Sequence, residues 1–213
     1  MDTFKVDSPY NNQIKLTVSQ GHFATTSSHI NYYIDLTTLK ARSSEAKAVA
    51  KSMASEYIAS TVVDAIVCMD GTEVIGAYLA EELTASGIIS MNQHGTMYVV
   101  TPELNSMGQL TFKDNVIKMI KGKNVLLLIA TATTGHTIEK AIECIKYYGG
   151  MISGISSIFS AVTDVNEYPI HSVFHANDIE GYASYSSNNC PFCKSGIPID
   201  GLVSAGGFSE MKY

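Results

Sequence analysis

A small polar loop from Thr131 to Thr137 carries the residues best suited to binding an anion. It reads Thr-Ala-Thr-Thr-Gly-His-Thr, between an apolar run at Val125–Ile129 and a segment with helical spacing that begins at Ile138. A strand, a small loop and a helix in this order point main-chain N–H groups and the positive helix end at an anion. The sequence therefore predicts a phosphate site here, formed by Thr131, Ala132, Thr133, Thr134, Gly135, His136 and Thr137. Taken alone, the motif favours an ordinary threonine-capped strand-to-helix turn, and the neighbouring segments reverse that preference.

A second candidate site is the Cys190-x-x-Cys193 pair, which has the spacing of a zinc knuckle. A closed zinc site needs four ligands, and His171 and His175 are the only histidines nearby in sequence. A partner subunit could instead supply a second cysteine pair. The alternative is a reduced pair that simply ends the domain. The other cysteines, Cys68 and Cys144, lie in apolar segments and are predicted to be buried and unreactive.

The segments around these sites are predicted from the spacing of their apolar residues to alternate between strands and helices. Ser43–Ile58 has helical spacing, Val62–Met69 is an apolar strand, and a turn at Asp70–Glu73 leads into a second helix. This alternation predicts a doubly wound α/β sheet, whose ligands bind at the carboxyl ends of the strands. The segment Glu103–Gln109 shows no periodicity and is predicted to be a mobile loop.

Composition limits the function classes. The chain has 213 residues, 46% of them hydrophobic, enough for the core of one α/β domain. Its net charge of −6 argues against nucleic acid or an acidic membrane as the main partner. We also expect a cytoplasmic protein, since the sequence shows neither an apolar stretch of membrane-spanning length nor an export signal.

In their order, several short motifs resemble the orotate phosphoribosyltransferases, a family of type I phosphoribosyltransferases. They are G-x-F at Gly21–Phe23, Y-Y-x-D-L at Tyr32–Leu36, the turn at Asp70–Gly76, the T-T-G-x-T loop and C-P-x-C-K at Cys190–Lys194. The resemblance implies a mainly parallel sheet with a small hood over it. Residues 1–40 would belong to the hood, 41–176 to the core and 177–213 to a C-terminal extension.

The resemblance also implies ligands and site positions. The family's substrates are phosphoribosyl pyrophosphate and orotate, with magnesium, and its members are homodimers whose mobile loop reaches the neighbouring subunit. Asp70, Gly71, Thr72 and Glu73 would form the pyrophosphate side. Thr26, Tyr32 and Tyr33 would face the base, although core packing explains the paired tyrosines equally well.

The chain departs from the family where the chemistry is done. Two adjacent acidic residues that hold the ribose hydroxyls correspond to Ile129 and Ala130. An alkyl side chain accepts no hydrogen bond, and each lost charge-assisted contact is worth about 1.5–3 kcal/mol. The family's cationic positions correspond to Val100 and Thr101, to the loop at Asn105–Gly108, and to Thr26 and His29, so we expect a site without its usual positive charge.

Three hypotheses follow. The first is an orotate phosphoribosyltransferase-like protein that binds a phosphate-bearing ligand but has lost most transfer chemistry, with no catalytic residue assigned. The second is an active transferase of pyrimidine nucleotide biosynthesis that uses magnesium and takes an acid from elsewhere, such as Asp70 or Glu73. The third is a dimeric scaffold with an empty pocket.

Overall fold

A computed structural model describes residues 2–85, 89–93, 96–204 and 206–212. Over these residues, the central sheet has six strands in the order β10-β11-β9-β8-β4-β5, all parallel except β10 at the edge. Their bounds are β4 Ala65–Cys68, β5 Tyr98–Val100, β8 Asn124–Ala132, β9 Met151–Ser160, β10 Asp164–Val165 and β11 Tyr168–His175. This is the predicted doubly wound, mainly parallel sheet.

Helices cover both faces of this sheet. They are α1 Thr37–Ala41, α2 Ser43–Ala54, α3 Glu73–Ala85, α4 Asp114–Ile117, α5 His136–Tyr147 and α6 Pro191–Lys194. Alternate residues of β8 enter different cores: Leu126 and Leu128 pack with α1, α2 and α3, whereas Leu127 and Ile129 pack with α5. Burial on both faces explains why β8 is uniformly apolar rather than alternating.

A second sheet stands over the first and corresponds to the predicted hood. Its strands are β1 Thr3–Asp7, β2 Lys15–Ala24, β3 His29–Asp35, β12 Ser184–Tyr185, β13 Gly201–Ser204 and β14 Gly207–Glu210. The C-terminal strands β12 and β13 pair directly with β3 and β2 of the N-terminal segment. The two ends of the chain therefore build one sheet, while the domain limits drawn from the sequence stay a prediction.

The segment expected to be a mobile loop has a regular fold in this structure. Strands β6 Glu103–Leu104 and β7 Leu110–Thr111 pair as a hairpin. The Asn105 side-chain oxygen accepts hydrogen bonds from the N–H groups of Met107 and Gln109, and Gly108 takes a positive φ of 74°. A two-residue strand is too short to show periodicity, which is why the sequence did not reveal the hairpin; the predicted mobility of this segment stays a prediction.

No helix within the described ranges is both long and apolar enough to cross a membrane.

Candidate functional site

A cavity of about 520 Å³ opens at the carboxyl ends of β4 and β8, below the second sheet. Its wall comes mainly from the β2–β3 connection and β3, from α1, from the turn after β4, from the β6–β7 hairpin, from the loop between β8 and α5, and from the C-terminal hairpin of β13 and β14. This is where a doubly wound sheet is expected to bind its ligand. The predicted phosphate loop contributes the largest continuous part of the wall.

The phosphate loop has the geometry of an anion site. All seven of its residues, 131–137, line the cavity. Helix α5 begins at His136 after Gly135, whose φ is +84°, and no side chain caps its first turn. The first N–H groups of a helix have no partner within the helix, so this end is free to bind an anion.

His136 contributes less to the loop than its position suggests. Its Nδ1 lies 3.0 Å from the Glu139 carboxylate, on the same exposed face of α5. This partner offsets the positive charge of a protonated ring, so the main-chain N–H groups carry most of the attraction for an anion.

The two alkyl residues at the predicted ribose-binding positions differ in surroundings. Ala130 lines the cavity, whereas the fully buried Ile129 lies in the core beneath α5. Neither can accept a hydrogen bond from a sugar hydroxyl. Among the described lining residues, Asp70 is the only one with a carboxylate.

On the predicted pyrophosphate side, only Asp70 of the four-residue turn reaches the cavity wall. Asp70 has a left-handed backbone, φ +57°, and Gly71 follows it at +77°. The Thr72 hydroxyl donates inward to the carbonyl oxygens of Met69 and Leu128. Glu73 accepts a hydrogen bond from Thr101. Burial raises the pKa of Asp70, and Lys40 opposes that shift.

Positive charge is present at the site, contrary to expectation. Lys40, from α1, lines the cavity, and its ammonium group donates a hydrogen bond to the main-chain oxygen of Asp70 at 2.8 Å. Lys140, one turn into α5, lines the cavity beside the phosphate loop. The family positions are indeed uncharged here, but these two lysines occupy the same cavity from other elements. Sequence reasoning missed both, because neither lysine belongs to one of the recognised motifs.

Two of the three residues predicted to face the base lie on the cavity wall, and their role in binding a base stays a prediction. Thr26 and Tyr33 line the cavity. Tyr32 projects to the other face of β3, where its hydroxyl donates to the Glu180 carbonyl, so it does not line the cavity as the base-side prediction requires. Tyr33 packs at 4.6 Å from the ring of Phe208. The hairpin of β13 and β14 adds Val203, Ser204, Gly206 and Gly207 to the wall, a contribution that no sequence pattern signalled.

The cysteine pair has different neighbours from those expected. His171 and His175 line a separate cavity of about 210 Å³, where His171 lies 3.6 Å from Glu56. Cys190 and Cys193 instead meet His22 and His29, and one ligand atom from each of the four lies within 4.8 Å of the others. The proposed histidine ligands were therefore wrong. Cys68 and Cys144 are buried as predicted, and burial raises their pKa values to about 12 and about 11.

Comparison with solved structures defines the class. The Mycobacterium tuberculosis orotate phosphoribosyltransferase in complex with phosphoribosyl pyrophosphate aligns with a TM-score of 0.51 at 14% identity, covering 68% of this chain and 81% of that one. Leishmania donovani UMP synthase aligns with a TM-score of 0.54 at 17% identity, covering 75% of this chain and 34% of that one. The fold is that of the type I phosphoribosyltransferases.

Sequence comparison narrows the class. No family model matches the sequence. Over 188 residues, the chain is 24% identical to the orotate phosphoribosyltransferase of Chlorobium phaeobacteroides, covering 85% of this chain and 86% of that protein. The chain therefore resembles orotate phosphoribosyltransferases in sequence over most of its length, and it has the fold of the type I phosphoribosyltransferases.

Proposed function

We propose that this chain binds a phosphate-bearing ligand, a nucleotide or a phosphoribosyl compound, and has lost most of its relatives' transfer chemistry. The observation that carries the proposal is the phosphate loop at 131–137, which lines the same cavity as Ala130. The loop offers unpartnered helix N–H groups, while the wall beside it offers only an alkyl group where a sugar would be held.

Binding is supported by the shape and charge of the cavity. A volume of about 520 Å³ lies in the range of small-molecule sites. Lys40 and Lys140 add two cationic side chains to the helix end. An anionic ligand with an attached ring fits such a wall, with the phosphate on α5 and the ring toward Thr26 and Tyr33.

Loss of transfer is supported by the missing acids. Phosphoribosyl transfer needs a sugar that is held in position while its bond to the leaving group breaks, and positioning supplies much of a catalysed rate. Two missing charge-assisted contacts, at about 1.5–3 kcal/mol each, would remove about 3–6 kcal/mol of that support. Restoring the first acid in place of Ile129 would put a carboxylate in the apolar core.

The cavity residues do not fit a magnesium site by themselves. Magnesium takes oxygen ligands in octahedral geometry, usually one or two carboxylates together with phosphates. Asp70 is the only carboxylate among the described lining residues, and its main-chain oxygen is already bonded to Lys40. The alkyl groups at 129 and 130 add none.

Titration calorimetry tests the binding half. The panel is phosphoribosyl pyrophosphate, uridine and orotidine monophosphates, and inorganic phosphate, each with and without magnesium. We expect heat of binding for at least one phosphate ester and no detectable heat after Gly135→Val. No detectable heat of binding for any compound of the panel would contradict the proposal and favour the third hypothesis, a dimeric scaffold with an empty pocket.

A steady-state assay tests the catalytic half, with orotate, phosphoribosyl pyrophosphate and magnesium. We expect turnover well below the roughly 1 s⁻¹ at the low end of ordinary enzymes. Turnover at ordinary rates would refute the loss of chemistry. In that case Asp70→Ala would show whether the cavity's remaining acid has taken over.

A further inference from the structure

Away from the phosphate loop, a compact cluster lies where β2 leads into β3 of the second sheet; its members are His22, His29, Cys190 and Cys193. The His22 Nε2 atom lies 3.0 Å from His29 Nδ1, 3.4 Å from the Cys190 sulfur and 3.7 Å from the Cys193 sulfur. The Cys193 sulfur lies 3.3 Å from His29 Nδ1. Two nitrogens and two sulfurs thus point at one another across a common centre.

These separations match a tetrahedral metal site. Zinc bonds of about 2.3 Å to sulfur and 2.0–2.1 Å to nitrogen put neighbouring ligand atoms of a tetrahedron about 3.3–3.8 Å apart. Three of the four distances in the cluster, 3.3, 3.4 and 3.7 Å, lie within that range, and the fourth, at 3.0 Å, is slightly shorter. A Cys₂His₂ set in tetrahedral geometry favours zinc over magnesium or calcium, which take oxygen ligands.

The surroundings of His22 supply an independent argument. Its Nδ1 lies 3.1 Å from the carbonyl oxygen of Ile197 and 3.0 Å from that of Pro198. A carbonyl oxygen only accepts, so Nδ1 carries the proton and the Nε2 lone pair faces the cluster. A backbone carbonyl on the far nitrogen is the usual outer partner of a metal-bound histidine. The ring also stacks on Phe192 at 5.2 Å, which holds its orientation.

The four residues of the cluster differ in their exposure to solvent. His22 and Cys190 are buried, His29 is half-buried and Cys193 is exposed. The buried pair excludes water from one side of the centre, while the exposed cysteine leaves a path by which an ion can enter.

We propose that His22, His29, Cys190 and Cys193 bind one structural zinc ion, as two neutral imidazoles and two thiolates. Binding displaces both thiol protons to solvent. All four tetrahedral positions are filled by protein, so the ion has a structural and not a catalytic role.

The site joins two distant parts of the chain beside the cavity. His22 and His29 flank the β2–β3 connection, whose residues Thr25, Thr26 and Ser27 line the cavity. Cys190 and Cys193 belong to the segment that leads into the C-terminal hairpin. The zinc ion would therefore hold together the two halves of the wall opposite the phosphate loop.

Metal analysis of the full chain tests this proposal without any assay of activity. The protein is expressed with zinc in the medium, purified without chelator or polyhistidine tag, and kept reduced. We expect one zinc per chain in the wild type, and loss of it in Cys193→Ser and His29→Gln. His171→Gln is the matched control, because His171 is a half-exposed histidine outside the cluster, and it should keep the metal.

Cobalt replacement provides the second measurement. The metal-free wild type should take up Co²⁺ with the intense visible absorption of tetrahedral cobalt and a thiolate charge-transfer band, both absent from Cys193→Ser. A reduced wild type that neither retains zinc nor gives this spectrum would overturn the proposal. So would zinc content unchanged by both ligand variants.

Discussion

The ammonium group of Lys40 lies 2.8 Å from the main-chain oxygen of Asp70 and donates a hydrogen bond to it. The contact ties α1 to the turn that follows β4, and it places a cation and an acid together at one end of the cavity. Asp70 has a strained left-handed backbone, and such backbone is often found where a protein binds its ligand. The pair is therefore the best place to test what this cavity recognises.

Replacing Lys40 with Met should weaken binding of phosphoribosyl pyrophosphate more than binding of a nucleoside monophosphate. The ammonium group lies beside Asp70, on the side predicted to hold the pyrophosphate, and a lost charge-assisted hydrogen bond of about 1.5–3 kcal/mol corresponds to about tenfold to hundredfold in affinity. Calorimetry measures both affinities. Lys51→Met, on the exposed side of α2, is the control. Equal losses for both ligands would show that Lys40 does not face the pyrophosphate.

Replacing Asp70 with Asn should remove a pH dependence of stability. The folded-state pKa of Asp70 is raised, so the folded chain holds its proton more tightly than the unfolded chain does. The free energy of unfolding therefore falls as pH rises from the ordinary Asp pKa through the raised value. Asn lacks the titration and tolerates the left-handed backbone. Urea unfolding at a series of acidic pH values measures this free energy. The decrease seen in the wild type should be absent from Asp70→Asn. It should be unchanged in Asp114→Asn, the control at an exposed aspartate.

Replacing Gly135 with Ala should destroy phosphate binding. Gly135 has φ +84°, and an added Cβ would lie 2.7 Å from Val165 Cγ2, so the loop must shift. Gly122→Ala is the matched control: Gly122 has φ +69°, an added Cβ would meet no described atom within 4 Å, and the residue is not part of the cavity wall. Both variants should lose about 1–2 kcal/mol of stability from the left-handed backbone. Only Gly135→Ala should lose calorimetric binding; equal binding would contradict the assigned loop.

Tyr182→Phe should stabilise the protein. Among the residues that the structure describes, the buried Tyr182 hydroxyl has no hydrogen-bond partner, and removing an unsatisfied buried group recovers about 1 kcal/mol. A chain of this size should then melt about 2–4 °C higher. Tyr57→Phe is the opposite control, because the buried Tyr57 hydroxyl donates to Ile155 at 3.0 Å and lies 2.8 Å from Ser156 Oγ. Differential scanning calorimetry should show a higher melting temperature for Tyr182→Phe and a lower one for Tyr57→Phe. A lower melting temperature for Tyr182→Phe would show that the wild-type Tyr182 hydroxyl has a hydrogen-bond partner.

The parts of the site that the sequence predicted are those built from one continuous segment. The strand, loop and helix around 131–137 follow from apolar runs and glycine positions within about 25 residues, and the structure reproduces them. The sequence did not predict Lys40 as a site residue, because Lys40 reaches the turn at Asp70 only through the packing of α1. A contact between residues 30 positions apart leaves no local sequence pattern.

The metal ligands show the same limit more strongly. The spacing of Cys190 and Cys193 was recognisable, but their partners lie more than 160 residues earlier in the chain. His171 and His175 were chosen because they are near in sequence. The pairing of β13 with β2 brings His22 and His29 in their place, and sheet pairing between distant strands is invisible to local periodicity.

The hairpin of β13 and β14 makes the pocket depend on a segment far along the chain from the phosphate loop. Its residues 203, 204, 206 and 207 lie on the cavity wall. A deletion or substitution that disturbs the hairpin would therefore weaken ligand binding even though the phosphate loop is unchanged. A protein shortened by proteolysis in this hairpin should be excluded before a weak affinity is ascribed to the pocket itself.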